Sequence, residues 1–355
     1  MFILSSKTIQ AFFKVISGLK INNSMLPILE NVVITVLNGS ISFRVTDLNT
    51  EIIYSAGTTD TADCSFCVCA ESLKKLTKLN GDYKFNLHGD KININSICLN
   101  SECSNDFPVS VSDRDVKESF NTLFSGDLSN LSDLVGFTST DMLRPAMQGV
   151  YFDLCSGLNL VATNAHCLKV YNVKIDKNTN CDSSFLLDKL TAKIVSRLGD
   201  VVVLASEKYV SFVNDFFKVT SRKIDIKYPA YKEVLPATID KGILVNRLDL
   251  INSLTACLVT ANKSTMQVIF YVGEKLTLES KDIDFGTSCT QELAIDNSIG
   301  FFTIGFNGKL MIDVLKSETS STVFIQMSAE PKHPCLIETV CSKTILMPVL
   351  LCDKN

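Results

Sequence analysis

The stretch Arg144–Val170, RPAMQGVYFDLCSGLNLVATNAHCLKV, decides how the rest of the chain is read. An Arg-Pro turn leads into an alternating strand, Met147 to Leu154, which reverses at Ser156-Gly157. A second strand, Leu158 to Ala162, ends in a polar corner, Thr163-Asn164-Ala165-His166. Alone this is one hairpin, but the chain repeats it.

Sliding the sequence along itself by about 117 residues puts Thr46-Asp47 on Thr163-Asn164, Ile41 on Leu158 and Phe43 on Leu160. A further shift of about 118 reaches Leu276, Leu278 and Lys281-Asp282. Helical periodicity follows the same spacing. The segments Lys7–Leu19, Leu128–Val135 and Leu248–Val259 fall in one place of the unit, and Glu71–Leu79, Leu186–Leu198 and Lys309–Leu315 in another. In the first copy, Asn38-Gly39 marks a tight turn between strands Val32–Leu37 and Ile41–Val45. The expectation is an α+β chain of three repeated domains, 1–119, 120–238 and 239–355, each with two helices packed on antiparallel sheet. Polar stretches at Lys117-Glu118-Ser119 and Ala237-Thr238-Ile239-Asp240 mark the joints.

Composition narrows the class. The 355 residues are 46% hydrophobic and 20% charged, and no apolar run approaches a membrane span of about 18 residues, so a cytoplasmic protein without membrane attachment is expected. Ser5, Ser6 and Lys7 break the apolar start before a signal sequence can form. The thirteen cysteines are scattered and odd in number, which reads as reduced thiols used as small apolar side chains. Cys64, Cys67 and Cys69 have no second pair at metal-site spacing, so no metal and no cofactor is expected.

Equivalent helices share exposed basic residues: Lys7 and Lys14; Lys74, Lys75 and Lys78; Lys189, Lys193 and Arg197; Arg247; Lys309 and Lys316. The chain as a whole carries a formal charge of −4. Basic faces on an otherwise acidic protein suit a loose grip on a phosphate backbone, although lysine on solvated helices also serves solubility alone.

The motifs Met25-Leu26-Pro27-Ile28-Leu29, Thr46-Asp47, Asn105-Asp106-Phe107-Pro108, Arg144-Pro145-Ala146-Met147-Gln148-Gly149-Val150, Val161–Leu168, Tyr228–Pro236, Ile304-Gly305-Phe306-Asn307 and Leu346-Met347-Pro348-Val349 occur in an order that resembles the bacterial DNA polymerase III beta subunit, the sliding clamp family. The resemblance spans the whole chain. It implies a head-to-tail homodimer that closes a ring of six domains around double-stranded DNA, without reading its sequence. The partners it implies are the polymerase III catalytic subunit, the clamp loader complex and other proteins with a clamp-binding motif.

Carried over by position, the resemblance places a partner-peptide cleft at Met147, Thr163, Ala165, His166, Leu168, Pro229, Val234, Ser321, Leu346, Met347, Pro348 and Val349. It places DNA-facing residues at Lys14, Lys20, Asn23, Lys74, Lys78, Arg144, Lys193 and Arg197, and a dimer interface at Ile97, Leu99, Leu258 and Val259. Cys167 and Glu233 stand where the family carries basic residues, and Asn164 and Ala165 replace the more usual aspartate and glycine.

Two other classes compete. A scaffold built on the same repeats would keep the fold without DNA. A thiol enzyme would need a cysteine of lowered pKa, and neither Cys155 nor Cys257 has an electropositive neighbour in sequence. Three histidines, His88, His166 and His333, and no phosphate-binding glycine loop leave no catalytic constellation.

Overall fold

The computed structural model describes residues 1–19, 21, 26–79, 81–110, 119–155, 157–175, 184–236, 241–328 and 333–351. Lys20, Asn23, Met25, Lys117, Glu118, Ser156 and Ala237–Asp240 lie outside the described residues.

Six α-helices are present among the described residues: α1 Ser6–Ile16, α2 Ala70–Leu76, α3 Leu131–Val135, α4 Lys189–Val195, α5 Arg247–Thr260 and α6 Gly308–Lys316. Each expected helix is found, with trimmed or shifted ends. The trim before α4 has a structural cause: Phe185–Asp188 is a strand, so the apolar Phe185, Leu186 and Leu187 belong to sheet. The strand expected from Met147 begins at Gly149, because Pro145–Gln148 forms a short 3-10 turn. Proline at its first position fits a helical start, where no backbone donor is needed.

Two compact units account for the chain. The first gathers Met1–Ser132, Phe152–Leu158 and Val173–Asp225, and the second Asp133–Tyr151, Asn159–Asn172 and Ile226–Asn355. The units are assembled across the expected joints because strands of successive repeats share sheets. In the first unit, the order Asn121–Asp127, Asp200–Ala205, Tyr209–Val213, Phe217–Arg222, Thr50–Thr58, Ser40–Thr46, Asn31–Leu37, Cys64–Cys69, Glu102–Cys103 runs through one antiparallel sheet. A smaller sheet orders Phe2–Ser5, Asp82–His88, Lys91–Ile94 and Ile97–Asn100, with the last at its edge. In the second unit, Cys167–Val173 pairs with Ser342–Leu346, and that ladder continues through Cys335–Glu338, Thr322–Gln326, Gly242–Asn246 and Thr287–Asn297.

Local chemistry explains the elements. Asn38 and Gly39 both adopt positive φ, 50° and 76°, the mirror-image turn that matches strand twist. Ser5, Asp188, Asn246 and Asn307 cap α1, α4, α5 and α6 through their side-chain oxygens. On α1 the residues at helical spacing, Ile9, Phe12, Phe13 and Ile16, are buried, and Lys7 and Lys14 are exposed. Phe12 is the hub of the first core. Its ring meets Phe13 and Phe43 edge-on at 5.2 and 5.3 Å, and stacks with Tyr54 at 5.9 Å.

Phe12 is fully buried, and truncation would leave a cavity that these stiff neighbours cannot fill. Phe12→Ala is therefore expected to destabilise the first unit by about 3–5 kcal/mol, read as a fall in the urea midpoint at unchanged slope.

Candidate functional site

At the corner after strand Leu158–Thr163, the Thr163 hydroxyl donates to the Cys167 carbonyl at 2.9 Å and accepts from the Ala165 amide at 3.2 Å. Asn164 Oδ1 accepts from the amides of His166 and Cys167, at 3.0 and 2.9 Å. These bonds hold Ala165 at φ 73°, a left-handed conformation that costs a residue with a Cβ about 1–2 kcal/mol. The corner presents the His166 carbonyl to the Met347 amide at 2.8 Å, and the Gly305 carbonyl receives the Val349 amide at 2.8 Å. Thr163, Leu168 and Leu346 are each buried, Cys167 being paired with Leu346 and Leu168 with Ile345, so Leu168 and Leu346 face opposite sides of the sheet. Ala165, His166 and Met347 are exposed, and Pro348 and Val349 half-buried.

The remaining expected cleft residues sit on their own supports in the same unit. Pro229 follows Tyr228, which stacks on Tyr151 at 4.7 Å and whose hydroxyl donates to the Val161 carbonyl at 3.5 Å. Val234, 54% exposed, ends the short 3-10 turn Tyr231–Val234. The Met147 carbonyl accepts from the Ser139 amide, and the Ser321 carbonyl from the Arg247 amide. A cavity of about 300 Å3 opens farther along the same strand pair, lined by Val170, Asn172, Tyr231, Lys232, Leu235 and Ser342 among others. None of the twelve expected cleft residues lines it, and sequence reading missed it because Val170 and Leu235 read as ordinary core.

The first unit contains the same frame with different chemistry. The Thr46 hydroxyl donates to the Thr50 carbonyl at 2.9 Å, Asp47 Oδ1 accepts from the amides of Asn49 and Thr50, and Leu48 has φ 75°. The Arg222 amide donates to the Asn49 carbonyl at 3.0 Å, as Met347 does to His166. The Ile224 amide donates to the Leu186 carbonyl at 2.9 Å, as Val349 does to Gly305. In this copy Glu51 stands for Leu168, Ser221 for Leu346, Arg222 for Met347 and Lys223 for Pro348. The backbone frame is duplicated, but among the described residues Met347 and Pro348 of the second unit stand where the first unit has Arg222 and Lys223.

The basic residues divide. Lys14, Lys74, Lys78, Arg144 and Lys193 are exposed. Arg144 pairs with Asp141 at 3.5 Å. Arg197 is half-buried, and its guanidinium donates to the carbonyls of Lys14, Val15 and Ser17 at the end of α1, so its charge is committed to capping that helix. Arg247 likewise holds the carbonyls of Ser320 and Leu315. Of the expected interface residues, Ile97 and Leu99 are half-buried on the edge strand, Leu258 is half-buried, and Val259 is 83% exposed at the end of α5.

No thiol among those with a resolved shift is activated. Burial pushes Cys67 and Cys167 up to about 11, and Cys257 and Cys335 up to about 12, away from a nucleophile's range. Burial also raises the Asp47 carboxyl, and the nearby Asp188 carboxylate adds to the rise. Asp47 thus binds its proton more tightly folded than unfolded, and its contribution to stability is present below the ordinary carboxylate value and lost as pH rises through the folded value. Asn164 occupies the equivalent corner with the same two amide bonds, so Asp47→Asn is expected to keep the turn. The variant should gain stability at pH 7 relative to pH 3.5, measured by urea unfolding at both.

No family model matches the chain. Curated relatives named beta sliding clamp match it over most of both lengths. The protein of Salmonella typhimurium is 25% identical over 353 residues, covering 92% of this chain and 93% of the relative, and that of Pseudomonas aeruginosa is 23% identical over 321 residues, covering 85% and 86%. Among solved structures, the P. aeruginosa sliding clamp bound to griselimycin has a TM-score of 0.89 at 20% identity, covering 99% of each chain. The Thermotoga maritima DNA polymerase III beta subunit has 0.87 at 23%, also covering 99% of each. In sequence and in fold, from one end to the other, this chain is similar to the bacterial beta sliding clamps.

Proposed function

We propose that the chain is a DNA sliding clamp: it encircles duplex DNA and tethers the replicative polymerase and other replication and repair proteins, conferring processivity without catalysing a reaction. The observation that carries this reading is the agreement of fold over 99% of the chain with solved clamps. The scaffold reading finds no comparable support.

In this reading the repeats 1–119, 120–238 and 239–355 are three clamp domains, and two chains associate head to tail. Such an interface joins two different surfaces of identical chains and ends only when the rotation closes. Ile97 and Leu99, on an edge strand, would meet Leu258 and Val259 of the second chain. Topology then retains the protein on DNA, and weak phosphate contacts from Lys14, Lys74, Lys78 and Lys193 let it slide. Lys20 and Asn23 join this set by position alone. Arg144, exposed and close in sequence to Met147, joins the set as well. Arg197 supports the set by fixing the end of α1, which carries Lys14.

The apolar corner of the second unit, with Val234 and Pro229, would receive a linear motif of the polymerase catalytic subunit, the clamp loader or another partner. Binding there raises the polymerase's effective concentration at the template. With Cys167 and Glu233 in place of basic residues, the preferred peptide is less acidic than the family's. A closed ring needs a loader to open it onto circular DNA. No helix among the described residues is long and apolar enough to cross a membrane.

The test compares retention on DNA of two topologies. Protein loaded onto nicked circular plasmid should stay through gel filtration at moderate salt and run off once the plasmid is linearised; equal loss or equal retention on both would contradict encirclement. In a separate assay, Met347→Ala should weaken binding of a fluorescent peptide bearing the polymerase's clamp-binding motif by about 1–3 kcal/mol, read by anisotropy.

A further inference from the structure

Beneath the cleft corner lies a buried ion pair. Lys169 Nζ donates to Glu318 Oε1 at 3.0 Å, with side-chain exposures of 2% and 5%. The same ammonium donates to the Ser317 hydroxyl at 2.8 Å and the Ser317 carbonyl at 3.2 Å, and stands 5.7 Å over the Phe137 ring. The Thr344 hydroxyl donates to Glu318 Oε1 at 3.4 Å, and Thr344 is the direct strand partner of Lys169. All five residues belong to the second unit.

Burying two charges is costly, and matched apolar residues often replace such a pair without loss of stability. The chain carries that replacement itself. In the duplicated frame of the first unit, the residues at the Lys169 and Thr344 places are Ile52 and Val219, also direct strand partners and fully buried. Glu318 follows Ser317, the C-cap of α6, as Arg197 follows Ser196, the C-cap of α4. One fold therefore builds the same corner twice, once with an isoleucine-valine pair and once with a lysine, a threonine and a glutamate. At those two strand places the fold does not require the charges; the first unit buries its own carboxylate one residue earlier, where Glu51 pairs with Arg44 at 3.3 Å. The copy that has Lys169 and Glu318 is the copy with the apolar cleft.

We infer that Lys169, Glu318 and Thr344 are positioning residues of the peptide cleft, fixing the strand that carries Leu168 and the strand that leads to Met347 against the end of α6. Side chains alternate along a strand, so Lys169 points away from the face that Leu168 serves and grips α6 from beneath. Apolar contacts can slide by fractions of an ångström at little cost, whereas an ammonium held by a carboxylate, a hydroxyl and a carbonyl has one geometry. A preformed groove binds more tightly because less ordering remains to be done. This inference rests on the cleft reading above.

The test uses the full-length protein and three variants: Lys169→Met, Glu318→Met and the two combined. Each single variant leaves one buried charge unpaired and should lower the thermal midpoint. The double variant should regain the midpoint, yet bind the fluorescent polymerase peptide about tenfold more weakly. It should also lose hydrogen-exchange protection at the Met347 amide, with the amides of strand Asp200–Ala205 unchanged. A double variant with wild-type affinity and wild-type protection at Met347 would reduce the pair to packing and overturn the proposal. If the wild-type protein does not bind the peptide, the cleft reading falls, and exchange at Met347 still decides whether the pair positions the strands.

Discussion

A side-chain oxygen that replaces a backbone acceptor at a strand corner is the interaction on which the architecture depends. Asp47, Asn164 and Asn214 each accept two backbone amides from the residues that follow, at Asn49 and Thr50, His166 and Cys167, and Phe216 and Phe217. Each bond satisfies a donor that would otherwise be lost where the ladder stops. The chain thereby turns in a few residues, and the next strand starts in register. After two of these corners the new strand meets one from a later repeat: Thr50–Thr58 pairs with Phe217–Arg222, and Cys167–Val173 with Ser342–Leu346. Sheets continue through the joints expected from sequence, and the two compact units do not follow them.

That continuity also creates the grooves. Where the later strand leaves the ladder, its next amides are taken by the corner and by a neighbouring strand, Met347 by His166 and Val349 by Gly305, Arg222 by Asn49 and Ile224 by Leu186. The backbone leaves identical scaffolds at both places, so what differs is side-chain chemistry. Arg222 and Lys223 keep one hydrated. Met347 and Pro348 offer the other a surface from which water is readily displaced.

The repeat was legible in the sequence because a corner has a strict signature. Thr-Asp and Thr-Asn followed by a strand survive wherever the turn needs a hydroxyl and a side-chain acceptor, and the Asn38-Gly39 hairpin needs its positive φ values. Helix identity was equally legible from buried spacing, as in Ile9, Phe12 and Phe13. The strand before α4 was not, because Phe185, Leu186 and Leu187 satisfy a buried strand and a buried helix turn alike. Arg197 was not legible either: lysine and arginine on a helix look alike in sequence, and only the folded chain brings the guanidinium to the last carbonyls of α1. Of the expected cleft residues, Thr163 holds the corner through its hydroxyl, and the Met347 amide bonds the His166 carbonyl there. Met147 accepts from the Ser139 amide and Ser321 from the amide of distant Arg247, contacts that their positions in sequence do not reveal.

The buried lysine marks the limit of pattern reading most clearly. In sequence, Lys169 between Leu168 and Val170 is a polar residue on an alternating strand, and alternation assigns it to solvent. Both faces of that strand are covered, so the lysine had to find a carboxylate or destabilise the fold, and Glu318 supplies it from about 149 residues away. No local rule links two positions so far apart. The internal copy does, because Ile52 and Val219 record what the same two strand places hold when neither is charged. A chain that repeats itself thus contains its own control, and the positions where its copies disagree in charge while agreeing in backbone are those where a demand other than folding has acted.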